Sequence, residues 1–146
     1  MPKTLYILNG PNLNLLGQRE PEIYGSQTLA DIEKMCQDRC DELGYELKFL
    51  QSNIEGDLVN WLQEAGRAGC AVLINSAAYT HTSVALYDTI KTLDIPVIEI
   101  HISQPAARET FREKSYVAMA ATGTISGFGA HSYILGIQAA HQACSR

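Results

Sequence analysis

Short apolar runs alternate with amphipathic stretches along the chain, and the alternation predicts its elements. Thr4 to Leu8 reads as a buried strand. Leu29, Ile32, Cys36, Cys40 and Leu43 recur at helical spacing, with Asp31, Glu33, Lys34 and Asp38 on other faces and Gly44 as a stop. Tyr45 to Leu50 alternates as a second strand. Leu58, Trp61, Leu62 and Ala65 mark a second helix, closed by Gly66 to Gly69. Cys70 to Ile74 is a continuous apolar run, as expected of a strand covered on both faces. Thr82 or Ser83 can cap a third helix running through Leu93. Pro96 to Ile100 is a fourth strand, Val117 to Ala121 a fifth and weaker strand pattern, and a last helix runs from about His131 onward.

This order predicts an α/β fold with an open parallel five-stranded sheet and helices on both faces. Right-handed crossovers favour the flavodoxin-like strand order 2-1-3-4-5, in a single domain over residues 1–146. Ligands of such sheets bind beyond the carboxyl ends of the strands, near the point where strand order reverses. The loops after the first four strands are therefore the places to search for chemistry.

Composition narrows the function classes. A hydrophobic fraction of 46% and a charged fraction of 18% belong to a globular chain, not a disordered one. A net charge of −5 without clustered Lys and Arg argues against nucleic-acid binding. It also requires any anionic substrate to be held by a local cationic pocket. The segment from Met1 to Thr4 lacks the basic and apolar regions of a signal peptide, and no apolar run is long enough to span a membrane. A cytoplasmic location with reduced thiols at Cys36, Cys40, Cys70 and Cys144 is expected. No three ligands have metal-site spacing, so no metal is inferred. None of the five lysines falls in a candidate loop, which weakens a Schiff-base mechanism.

The first loop, Asn9 to Gly25, is long for a strand-to-helix connection and matches no phosphate-binding glycine pattern. Within it, Arg19 could favour the phenolate of Tyr24 and bring it into range as a base. Local sequence alone favours a solvated Arg19 and a packed Tyr24 ring. The second loop, Gln51 to Gly56, offers Asn53 as a helix cap. The third presents Asn75 at the strand end and His81, Thr82 and Ser83 at a helix start, where backbone N–H groups favour anions. Capping and ligand binding are evenly balanced there. At the fourth, Glu99 and His101 are two apart in an extended segment and face the same way. A carboxylate beside imidazole can keep it protonated as a general acid. Arg108 and Arg112 follow, one helical turn apart. His131 and His141 fit surface or packing positions.

Four stretches assembled from these loops, LNGPNLNLLGQREPEIYG, QSNIEGDLVNWL, AAYTHTSVALYD and EIHISQPAARETFREKSY, closely resemble the type II 3-dehydroquinate dehydratases. The resemblance covers nearly the whole chain. It implies anti elimination of water from 3-dehydroquinate through an enolate, giving 3-dehydroshikimate without cofactor or metal. By motif, Tyr24 would be the proton acceptor, with Arg19 assisting its ionisation and stabilising the transition state. Asn12 would stabilise the enolate through a water, and His101, oriented by Glu99, would be the proton donor. Asn75 and the backbone at Ile102 and Ser103 would hold the substrate carboxylate. His81, Arg112 and an Asp88 from a neighbouring subunit would bind ring hydroxyls, and Arg108 would help close the loop bearing Arg19 and Tyr24. The resemblance also implies trimers assembling into a homododecamer.

The chain departs from the family pattern at Ser76 (usually Pro), Tyr87 (often Arg), Ile54 (often His) and Gln104-Pro105-Ala106 (typically Asn-Val-His). Two other classes compete. A flavodoxin-like flavin module would carry a Ser/Thr/Gly phosphate loop in place of the Pro11-Asn12-Leu13 run, and a phospho-receiver an acidic cluster where this chain has Asn9 and Asn12. An inactive assembly subunit would not need Arg19, Tyr24 and His101 together.

Overall fold

A computed structural model describes residues 2–18, 20–24 and 26–145, except for the side chains of Pro21 and Tyr24. Five strands, β1 (Thr4–Asn9), β2 (Glu46–Gln51), β3 (Ala71–Asn75), β4 (Val97–His101) and β5 (Gly123–Ser126), form one parallel sheet in the order β2-β1-β3-β4-β5. This is the flavodoxin-like order expected from the sequence. Among the described residues six α-helices accompany it: α1 (Pro21–Tyr24), α2 (Leu29–Leu43), α3 (Glu55–Ala68), α4 (Val84–Lys91), α5 (Tyr116–Ala120) and α6 (His131–Cys144).

The period-two pattern of the central strands divides the core. Leu5, Ile7, Leu73, Ile98 and Ile100 point to one face, where they pack with Ile32, Cys36 and Cys40 of α2 and Tyr133 and Ile137 of α6. Tyr6, Leu8, Val72, Ile74 and Val97 point to the other, against Leu58 and Leu62 of α3, Leu86 and Ile90 of α4 and Val117 of α5. Cys36 and Cys40 are core thiols as expected; burial pushes them up to about 12 and about 11. Helix α2 starts with a capping box between Thr28 and Asp31 and stops at Gly44, whose φ of 84° suits a residue without Cβ. No helix among the described residues is long and apolar enough to cross a membrane.

Two local expectations are corrected. Val117 to Ala121 is not a strand, because Val117, Ala120 and Ala121 fall on one helical face and pack on the core as α5 and its end. The fifth strand follows it at Gly123–Ser126. Asn53 does not cap α3: Ile54 holds the cap position without a side-chain bond. The Asn53 side chain instead accepts from the Asn12 backbone N–H at 3.0 Å, tying the second loop to the first.

Candidate active site

Parallel pairing brings the strand ends level with one another. Asn9 is in register with both Gln51 and Asn75, and His101 with Ser126. The first and third loops then touch: the Gly10 N–H donates to the Asn75 carbonyl at 2.8 Å, and a Cβ on Gly10 would lie 2.6 Å from the Ser76 carbonyl oxygen. Only glycine fits there. Above this edge lies a cavity of about 140 Å³. Asn12, Asn75, His81, His101, Ile102, Ser103, Arg108 and Arg112 line it, together with Pro11, Leu13, Ala77, Ala78 and Pro105. Eight of the residues singled out from three separate loops are thus brought to one place. Among the described residues, no group of three or more His, Cys, Asp or Glu is placed to hold a metal ion.

Glu99 and His101 project from the same side of β4, as their spacing predicts. Glu99 is buried, and its Oε2 accepts from His101 Nε2 at 2.8 Å and from the hydroxyls of Thr80 and Ser115. Its Oε1 accepts from Thr124 Oγ1 at 2.9 Å. Burial pushes this carboxyl upward, but the hydrogen bond and charge of His101, then the bonds from Ser115 and Thr80, outweigh it and hold Glu99 at about 2. An ionised Glu99 is acceptor only, so His101 Nε2 carries a proton. Nδ1 is then the imidazole nitrogen left for the cavity. When it too is protonated, the ring is an imidazolium backed by a fixed carboxylate, the arrangement of a general acid.

Hydrogen bonding also orients the other walls. His81 Nδ1 lies 2.7 Å from the Lys114 carbonyl, which can only accept, so Nδ1 donates. In the neutral ring Nε2 is left as an acceptor, suited to a hydroxyl. His81 ends a 3-10 turn, Ala77–His81, and does not open α4; Ser83 caps that helix by accepting from the Leu86 N–H at 2.9 Å. Arg108 and Arg112 sit in successive short turns, not on one α-helical face as their spacing predicts. Arg108 Nη1 donates to Ser103 Oγ at 3.3 Å, and Arg112 Nε to Glu109 at 3.0 Å. Both guanidiniums remain at the cavity wall, where they supply the local positive charge that a molecule of net charge −5 needs for an anion.

Asn75 is buried at the end of β3, with its amide nitrogen on Tyr133 and its amide oxygen on the Ala77 N–H. Ser76, at the position of the first departure, has a buried hydroxyl without a hydrogen-bond partner among the described residues. Asp88 is exposed on α4 and does not line the cavity of its own chain. Arg19 lies outside the described residues, as does the side chain of Tyr24, whose backbone ends α1. Sequence reasoning missed Thr80, Ser115, Thr124 and Tyr133. Thr80 and Ser115 lie within the matching stretches and Thr124 outside them, but nothing local singles out any of the three hydroxyls. Tyr133 stands on the apolar stripe of α6 with Ile137 and Ala140 and so reads as core.

The family profile described as dehydroquinase class II matches residues 3–141. A 3-dehydroquinate dehydratase of Phenylobacterium zucineum (strain HLK1) is 59% identical over 140 residues, covering 96% of this chain and 97% of that protein. Among solved structures, the type II dehydroquinase of Butyrivibrio crossotus DSM 2876 superposes with a TM-score of 0.93 at 36% identity, covering 95% of this chain and 97% of that one. That of Propionibacterium acnes gives 0.92 at 40% identity, over 97% and 98%.

Proposed function

Because the chain belongs to the class II dehydroquinase family, we propose that it removes water from 3-dehydroquinate by anti elimination, a step of the shikimate pathway. A base takes the proton next to the ketone, and the electron pair is held as an enolate. The enolate then expels the hydroxyl, which leaves as water on receiving a proton, giving 3-dehydroshikimate. The reaction is redox-neutral and balances without a cofactor.

The roles follow the resemblance and the site chemistry. His101 donates the second proton through Nδ1, with ionised Glu99 setting its orientation. Tyr24, assisted by Arg19, accepts the first. Asn12 stabilises the enolate. Asn75, Ile102 and Ser103 receive the substrate carboxylate, and His81, Arg112 and an Asp88 of a neighbouring subunit receive ring hydroxyls. Arg108 helps close the loop after β1. The whole of residues 1–146 serves as one catalytic domain, in a cytoplasmic homo-oligomer of trimers assembling to a dodecamer. The observation that carries the reading is the His101–Glu99 pair, 2.8 Å apart, at a cavity walled by Asn75 and two guanidiniums.

The test is direct. Protein mixed with 3-dehydroquinate should generate the ultraviolet absorbance of a conjugated enone carboxylate, unchanged by EDTA; folded protein that yields no such signal overturns the activity. Tyr24→Phe should lose nearly all turnover with unchanged circular dichroism, and near-normal turnover would remove Tyr24 as the base.

A further inference from the structure

A directed chain of hydrogen bonds runs beneath the cavity floor, from the second strand to the third loop. Asn9 Nδ2 donates to the Leu50 carbonyl at 3.0 Å. Asn9 Oδ1 accepts from the Tyr133 hydroxyl at 2.7 Å, and Tyr133 accepts from Asn75 Nδ2 at 3.0 Å. Asn75 Oδ1 accepts from the Ala77 N–H at 3.2 Å. One terminus is a carbonyl, which can only accept, and the other is an N–H, which can only donate. Both therefore impose the same polarity. Flipping the Asn75 amide would set its oxygen against a phenol whose single proton is committed to Asn9, and its nitrogen against the donor of Ala77. Asn9, Asn75 and Tyr133 are all buried, so water cannot repair either mismatch.

We infer that Tyr133 is a positioning residue for substrate binding. Its buried hydroxyl, held by Asn9, locks the Asn75 amide so that the one uncommitted N–H of Asn75 serves the substrate carboxylate. The inference rests on the reading that Asn75 receives that carboxylate. Backbone geometry supports the lock, because Ala77 takes a φ of 52°, unusual for a residue with a Cβ, while its N–H bonds Asn75. Tyr133 touches no substrate in this scheme; it acts through Asn75 alone.

The experiment is a double-mutant cycle read in steady-state kinetics with 3-dehydroquinate. Tyr133→Phe keeps the ring packing and removes the hydroxyl. It should raise KM about tenfold, the worth of one charge-assisted hydrogen bond, with kcat changed by less than about twofold. Asn75→Ala should raise KM at least as much, and the double variant no further than Asn75→Ala alone. Asn9→Leu, which frees the phenol proton to turn toward Asn75 and so removes one of the two mismatches that oppose the flip, should raise KM in the same sense if Tyr133→Phe folds poorly. An unchanged KM in Tyr133→Phe, with KM raised in Asn75→Ala, overturns the inference and leaves the site reading standing. Additive effects, or a lowered melting temperature with normal KM, overturn it too. If Asn75→Ala binds substrate normally, the carboxylate subsite itself is misplaced and the inference falls with it.

Discussion

The Glu99 carboxylate receives four donors, three of them on one oxygen, and it is this surplus that keeps a buried acid ionised. Its folded value of about 2, against an ordinary 4.5, gives stability that is fully present above pH 4.5 and lost as pH falls toward 2. The contribution is bounded at roughly 3 kcal/mol. Glu99→Gln has no charge to lose, so its denaturation midpoint should fall less between pH 5 and about pH 2.5 than that of the parent. An equal fall in urea midpoint for parent and Glu99→Gln between the two pH values would show that Glu99 is not the group being protonated. Part of this arrangement was legible from spacing, because residues two apart in a strand share a face and a carboxylate beside imidazole has a known consequence. The hydroxyls of Thr80, Ser115 and Thr124 were not. They arrive from a 3-10 turn, a helix cap and a neighbouring strand, and nothing local in the sequence marks a hydroxyl that will meet a distant carboxylate.

At the scale of elements, the strand ends that carry chemistry were readable because their apolar runs are continuous and their loops are polar. The fifth strand was not. Its four residues, Gly123–Ser126, include one large apolar side chain, and the more apolar segment before it is helical. Helix α5 also has a second duty. Ser115 caps it by accepting from the Ala118 N–H at 3.0 Å while donating to Glu99. Thr28 caps α2 by accepting from the Asp31 N–H at 3.1 Å and has no such link to the site. Ser115→Ala and Thr28→Ala should each lose about 1 kcal/mol of stability from the cap. Only Ser115→Ala should also slow turnover, through a less firmly held Glu99 and hence His101. Equal kcat in the two variants, measured well below their melting temperatures, would uncouple the α5 cap from catalysis.

Across the whole molecule, the sequence pattern prescribes the strand order because parallel strands joined by helices admit few right-handed windings. It leaves unstated which distant residues the winding will join. The Tyr133 hydroxyl closes a contact across 124 positions to Asn9 and another across 58 to Asn75. Contacts so far apart along the chain are the slowest to form, since the long loops between them must close first. Helix α6 follows all five strands in the chain, so the sheet can pair with the Ala77 N–H on Asn75 while the Tyr133 half of the lock still waits for α6 to dock. Recovery of backbone structure and recovery of substrate affinity should therefore separate in time. On dilution from urea, far-ultraviolet circular dichroism should return ahead of enone formation assayed at substrate well below KM, with the delay tracking the docking of α6. Simultaneous recovery would mean that helix and sheet fold as one unit. On this expectation a chain with its sheet paired and α6 undocked would hold its substrate more loosely than the finished fold, and the last contact to tighten the grip is a tyrosine hydroxyl.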